Sequence, residues 1–89
     1  MVKIAFIGAG STVFAKNLMG DILSFPEFSG ATFALMDIDK KRLETSVQVA
    51  YTVNEFLGTN ATIEATTNRR KALDGASYVI CMIQVAGYK

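Results

Sequence analysis

The chain has 89 residues, of which 51% are hydrophobic and 19% charged, and nine basic and eight acidic residues give a net charge of +1, so it can hold one domain at most, or part of one. The balanced charge excludes the basic surface of a nucleic-acid-binding protein, and the lack of histidine together with a single cysteine excludes a zinc site or a Cys/His nucleophile pair. No apolar run reaches the roughly 18 residues of a membrane span and no signal-peptide pattern opens the chain, so we expect a cytoplasmic protein with neither a nucleic acid nor a membrane as partner.

The first predicted element is a strand over residues 2–7 (VKIAFI), an apolar run that ends in glycines, as is typical of a strand buried in a parallel sheet. From Thr12 onward the apolar residues recur every three or four positions, which predicts an amphipathic helix that Pro26 ends. The apolar positions of this helix are Phe14, Leu18, Ile22 and Phe25. The chain therefore opens with a strand, a glycine-rich turn and a helix.

The remaining residues alternate in the same way between strands and helices. Residues 31–36 (ATFALM) predict a second strand that Asp37 closes, and a second helix extends to Gly58. Its apolar face contains Leu43, Val47, Ala50, Tyr51 and Leu57. Residues 61–66 (ATIEAT) predict an edge-side strand, followed by a short helix that Asn68 caps and Gly75 ends. Residues 77–83 (SYVICMI) predict a fourth strand, apolar and central in character.

This regular alternation predicts an α/β fold, a Rossmann-type parallel sheet with right-handed crossovers and the strand order 3-2-1-4. Four strands make only a partial domain of this type. The first and fourth strands flank the point at which the strand order reverses, where such sheets bind ligands beyond their carboxyl ends. Residues 8–12 and 84–88 are therefore expected to meet at one crevice.

The turn after the first strand matches the start of the GxGxxG fingerprint of dinucleotide-binding sites. Gly8 allows the tight turn, and Gly10 removes a side chain where the backbone must approach a pyrophosphate at the start of the helix. Ser11 and Thr12 offer hydroxyl donors or a helix cap. Val13 replaces the third glycine, which mainly serves helix-to-strand packing, so it affects the angle of the helix rather than the phosphate site.

Asp37, at the end of the second strand, is the predicted ligand of the adenine ribose. Its carboxylate would accept hydrogen bonds from the ribose hydroxyls and repel a 2′-phosphate, which favours NAD over NADP. The cations at residues 40–42 count against this preference. Asp39 is an alternative ribose ligand, although the N-cap of the second helix is the better interpretation of that residue.

Other polar and reactive residues are interpreted as structural. The basic groups at residues 40–42 and 69–71 are expected to be solvated helix faces. Cys81 is expected to be a small buried residue, because a central strand does not supply the cationic surroundings of a reactive thiol. Tyr51 and Tyr78 are expected to pack in the protein.

Four segments stand out: FIGAGSTVFAKNLMGDIL, FALMDID with KRLE after it, NRRKALDGASYVI, and IQVAGY. Together they resemble glycoside hydrolase family 4, and specifically its α-galactosidase (melibiase) and α-glucosidase branch. The resemblance covers the whole chain, and GAGSTVFAKN and IQVxGY are more specific than a general dinucleotide fingerprint. It implies a homo-oligomeric hydrolase of α-galactosides or α-glucosides that depends on NAD and Mn²⁺. Such enzymes oxidise C3 of the sugar, remove the C2 proton and eliminate the aglycone, unlike glycosidases that use two carboxylates.

The resemblance implies cofactor contacts in this chain but no catalytic residue and no metal ligand. In the family, the tyrosine base and the cysteine and histidine metal ligands come from segments after the fourth strand. The cofactor contacts that carry over are Gly8, Gly10, Ser11, Thr12, Asp37, Gln84 and Val85. Ala86 stands where many members have a second glycine, which crowds the cofactor slightly.

These residues therefore predict that positions 1–89 are the N-terminal part of an NAD-binding Rossmann domain whose catalytic remainder lies outside the chain. Two alternatives stay open at the level of sequence. One is the nucleotide half of an NAD-dependent 2-hydroxy-acid dehydrogenase, which shares this architecture. The other is a stand-alone nucleotide-binding module.

Overall fold

The structure is a computed structural model that describes residues 2–10 and 12–82. Strands and α-helices alternate along these residues, with one short 3-10 helix before the second strand. The elements are β1 (Lys3–Ile7), α1 (Thr12–Leu23), the 3-10 helix (Pro26–Phe28), β2 (Thr32–Met36), α2 (Lys40–Leu57), β3 (Thr62–Thr66), α3 (Arg69–Leu73) and β4 (Tyr78–Cys81). Each predicted element is present, and its observed boundaries lie within two residues of the predicted ones, while the predicted end of the fourth strand at Ile83 lies outside the described residues.

The four strands form one parallel sheet in the order β3-β2-β1-β4, which confirms the predicted Rossmann-type topology. In the register of the sheet, Ile4 pairs with Phe33 on β2 and with Tyr78 on β4. Because all strands run the same way, the segments that follow β1, β2 and β4 lie at one edge of the sheet. That edge carries the glycine-rich turn.

Helices cover both faces of the sheet, so the described residues form three layers. On one face α1 and α2 enclose the larger core, in which the rings of Phe6 and Phe33 meet edge to face, with centroids 5.4 Å apart. The other buried side chains of this core include Ile4, Met19, Leu23, Leu35, Leu43 and Ala50. On the opposite face, Ala72 of α3 packs in a smaller cluster with Ala5, Ala34 and Met36.

The helix ends follow the predicted turn chemistry. The Asp39 carboxylate accepts a hydrogen bond from the backbone N–H of Arg42 at 3.2 Å, which confirms Asp39 as the N-cap of α2. Asn68 caps α3 in the same way. Gly58 ends α2 in the left-handed conformation, with φ of 68°. No helix among the described residues is both long and apolar enough to cross a membrane.

The predictions for β4 and for two tyrosines are wrong in one respect. Cys81, expected to be buried, is exposed, and the side chains of Tyr51 and Tyr78 are more than half exposed. β4 is an edge strand of the described sheet and α3 lies on β1, β2 and β3, so the outer part of β4 is uncovered within residues 2–82. An apolar sequence identified the strand, but the burial of its side chains depends on which other elements pack against it.

Candidate functional site

The candidate site is the turn between β1 and α1, at the carboxyl edge of the sheet. The backbone N–H groups of Gly8 and Ala9 both donate to the carbonyl oxygen of Met36, each at 2.8 Å. The turn is thereby tied to the last residue of β2. Its position at the point where the strand order reverses is the one predicted for a ligand crevice.

Gly8 is required by its backbone conformation and by its surroundings. Its φ is 86°, a value that residues with a side chain rarely adopt. A Cβ at this position would collide with the backbone carbonyl oxygen of Met82, whose N–H donates to the carbonyl of Ile7 at 2.7 Å. The turn therefore packs directly against the end of β4. The predicted meeting of the turn with the segment after β4 begins at this contact, whereas Gln84 and Val85 lie outside the described residues.

Gly10 is required by a neighbouring carboxylate. Its N–H donates to Oδ2 of Asp37 at 2.8 Å, and a Cβ at Gly10 would lie 2.6 Å from that oxygen and 3.0 Å from Cβ of Arg42. From the sequence, a glycine was expected here because the backbone must approach a pyrophosphate. The structure adds a second reason, since the Asp37 carboxylate fills the space that a side chain would occupy.

Asp37 holds two backbone groups at once. While Oδ2 accepts from Gly10, Oδ1 accepts from the N–H of Asp39 at 2.8 Å. Each carboxylate oxygen keeps further lone pairs for another donor. Asp37 therefore stands beside the glycine-rich turn at the end of β2, where the fingerprint requires a ribose ligand. Asp39, the alternative, has its carboxylate turned to the start of α2.

The N–H groups of Gly8, Ala9 and Gly10 all donate to oxygens of the protein. A diphosphate would therefore take its hydrogen bonds from the amides at the start of α1, which begins at Thr12. The first turn of α1 contains no acidic residue, so no carboxylate of that turn competes with an anion. Ser11 and the side chain of Thr12 lie outside the described part of the structure.

Ser46 is a site residue that the sequence interpretation missed. It lies in the middle of α2, is completely buried, and its hydroxyl donates to the carbonyl oxygen of Ala9 at 2.6 Å. The residues on either side of it on the helix face, Leu43 and Ala50, are also buried. A serine between two apolar positions at helical spacing was the available signal. It was not included in the predicted apolar face of α2 because serine is polar.

The two groups of basic residues are exposed, as predicted for solvated helix faces. This holds for residues 40–42 at the start of α2 and for residues 69–71 in α3. Within residues 2–10 and 12–82, no group of three histidine, cysteine or acidic side chains is placed to hold a metal ion.

A family model described as "Family 4 glycosyl hydrolase" matches residues 3–89. An α-galactosidase of Bacillus subtilis (strain 168) is 47% identical over 89 residues, which is all of this chain and 21% of that protein. An α-galactosidase of Rhizobium meliloti (strain 1021) is 44% identical over 85 residues, 96% of this chain and 17% of that protein. The chain thus spans about a fifth of the length of these relatives.

The fold also matches a solved structure. A crystal structure of a 6-phospho-α-glucosidase from gut microorganisms, in complex with NAD and glucose-6-phosphate, superposes with a TM-score of 0.82 at 24% identity. The match covers 97% of this chain and 20% of that one. At this identity the likeness shows the fold.

Proposed function

The chain belongs to the family 4 glycosyl hydrolases, and we propose that residues 1–89 are the N-terminal part of the NAD-binding domain of an α-galactosidase-like enzyme. The two curated relatives described above are α-galactosidases. The observation that carries the cofactor assignment is the arrangement of Gly8, Gly10 and Asp37 at the carboxyl edge of the sheet. There two glycines leave no room for side chains and a carboxylate stands beside the turn.

The residues present fit a dinucleotide. The start of α1 supplies amides for the diphosphate, and Asp37 supplies acceptor oxygens for the hydroxyls of the adenine ribose. A 2′-phosphate would meet the negative charge of Asp37, which favours NAD over NADP. The solved 6-phospho-α-glucosidase of the same fold is a complex with NAD. We extend the contact set to Ser11, Thr12, Gln84 and Val85 on the strength of the family resemblance.

The described residues bind and orient a cofactor but carry no step of the reaction themselves. In the redox-elimination scheme, NAD would supply a hydride acceptor for C3 of the sugar, and Mn²⁺ would supply a Lewis acid for the neighbouring sugar oxygens. The metal ligands and the base for the C2 proton would come from residues beyond this chain. Gly8, Gly10 and Asp37 would hold the adenosine end of the cofactor and thereby help to orient it.

The proposal is tested on the complete gene product, stripped of cofactor and metal. We expect hydrolysis of p-nitrophenyl α-galactoside only when NAD and Mn²⁺ are both restored, with p-nitrophenyl α-glucoside as the parallel substrate. In D₂O the released sugar should carry deuterium at C2, because that proton is removed and replaced during elimination. Full activity without NAD, or product without deuterium at C2, would refute the redox-elimination mechanism. A cytoplasmic location and a homo-oligomeric assembly stay predictions.

A further inference from the structure

We propose that Ser46 is a positioning residue of the dinucleotide site, which acts by fixing the peptide between Ala9 and Gly10 together with Asp37. The inference rests on the proposed NAD site and adds to it a residue in the middle of α2. It concerns the adenosine end of the cofactor, the end that the glycine-rich turn and Asp37 would contact.

The peptide between Ala9 and Gly10 is bonded on both sides by side chains. Its carbonyl oxygen, on Ala9, accepts a hydrogen bond from the Ser46 hydroxyl at 2.6 Å, and its N–H, on Gly10, donates to Oδ2 of Asp37 at 2.8 Å. A trans peptide is planar, so its C=O and N–H point in opposite directions and rotate as one rigid body. Ser46 and Asp37 therefore hold the same peptide plane from its two sides. A rotation of this peptide plane breaks both hydrogen bonds together.

The choice of residue at position 46 supports this role. The side chain is completely buried on the face of α2 that also carries Leu43 and Ala50. Serine is a poorer helix former than alanine, and a buried hydroxyl without a partner is unfavourable. Alanine would satisfy both the helix and the core at this position. The hydroxyl is therefore explained by its hydrogen bond to the carbonyl oxygen of Ala9, which is itself completely buried.

The consequence for ligand binding follows from Asp37. The Gly10 N–H holds one oxygen of this carboxylate in place, and the ribose hydroxyls would bind to the remaining lone pairs. Without the Ser46 hydroxyl the peptide is held by a side chain on one side only, so the Gly10 N–H fixes the carboxylate less firmly. The nucleotide must then order the turn as it binds, which weakens affinity.

The test compares Ser46→Ala with a matched loss of a hydroxyl from the same helix, Thr45→Ala. The Thr45 side chain is exposed and donates to the carbonyl of Lys41 within α2. Calorimetric titration of the complete gene product with NAD and with ADP-ribose gives Kd, and thermal unfolding gives Tm. We expect Ser46→Ala to raise Kd about tenfold, the equivalent of one net hydrogen bond. Kd should rise by the same factor for NAD and for ADP-ribose, because ADP-ribose keeps the adenosine end. Thr45→Ala should leave both Kd values at wild-type levels.

A lower Tm for Ser46→Ala with unchanged Kd would overturn the inference, since it would leave Ser46 a purely structural role. A loss seen with NAD but not with ADP-ribose would overturn it as well. If Ser46→Ala does not fold, Ser46→Cys keeps a weak donor of similar size, and a several-fold rise in both Kd values is then expected, with no rise overturning the inference. Wild-type protein that binds no NAD would refute the proposed function and this inference together, whereas wild-type binding with unchanged variants refutes the inference alone.

Discussion

Replacement of Gly10 by alanine tests the geometry of the turn most sharply. Gly10 is not among the glycines with positive φ, so its backbone accepts alanine and the cost of the change is one of packing. The added Cβ would lie 2.6 Å from Oδ2 of Asp37, closer than Cβ atoms approach other atoms in real proteins, and 3.0 Å from Cβ of Arg42, which is an unusually tight contact. Overpacking of this kind costs about 1–3 kcal/mol.

The free variant can relieve this contact by turning the Asp37 carboxylate away from Gly10. It then loses a hydrogen bond from Gly10 to a charged acceptor, which lowers the free energy of unfolding by about 1.5–3 kcal/mol. Bound NAD would draw the carboxylate back against the new methyl group. Up to the full packing cost therefore appears in the binding constant, so we expect Kd to rise by between about 5-fold and 150-fold.

Titration calorimetry with NAD and thermal unfolding of the complete gene product measure the two effects. Gly20→Ala is the matched control, because Gly20 lies inside α1 and a Cβ there meets no atom within 4 Å. This change should stabilise the helix by about 0.5–1 kcal/mol and leave Kd unchanged. Gly10→Ala with the wild-type Kd and Tm would show that the Asp37 carboxylate does not lie against Gly10.

Three further changes follow from single contacts. Gly8→Ala places a side chain on a backbone with φ of 86° and against the Met82 carbonyl, so NAD binding should be lost and Tm lowered. A calorimetric Kd near that of the wild type would contradict the role of this turn in NAD binding. Asn54→Ala removes the side chain that bonds both the N–H and the carbonyl of Ala61 at the opposite edge of the sheet, so urea unfolding should show a free energy of unfolding lower by about 1–3 kcal/mol, with Kd for NAD unchanged. A changed Kd with no loss of stability would contradict this prediction. Lys3→Met removes the ammonium that donates to two carbonyl oxygens at the end of α3, one of them at 2.6 Å. The urea midpoint should fall by the equivalent of about 0.5–1.5 kcal/mol, and an unchanged midpoint would mean that this contact contributes nothing to stability.

Much of the fold follows from sequence because its signals are local. Glycines after an apolar run mark the turn after β1, and Asn68, Asp39 and Gly58 sit at helix ends that their own side chains or backbone conformations specify. The strand order follows from the regular alternation of strands and helices together with the glycine-rich turn after the first strand, which are typical of the Rossmann-type sheet. None of these inferences requires knowledge of a distant contact.

The missed features all depend on distant contacts. Ser46 lies 37 positions from its partner Ala9, and the carboxylate that fills the space at Gly10 comes from 27 positions away. The exposure of Cys81 depends on what covers the outer edge of β4, which the sequence of the strand does not contain. Sequence patterns identified which elements form, and packing between elements decided which atoms meet.

The central claim is that Gly8, Gly10 and Asp37 form the adenosine end of an NAD site in a family 4 glycosyl hydrolase. The most direct measurement is a calorimetric titration of the complete gene product, freed of nucleotide, with NAD and with NADP. We predict one NAD site per chain, weaker binding of NADP because its 2′-phosphate meets Asp37, and loss of NAD binding in Asp37→Ala. Absence of NAD binding by the wild type, or equal binding by the wild type and Asp37→Ala, would contradict the claim.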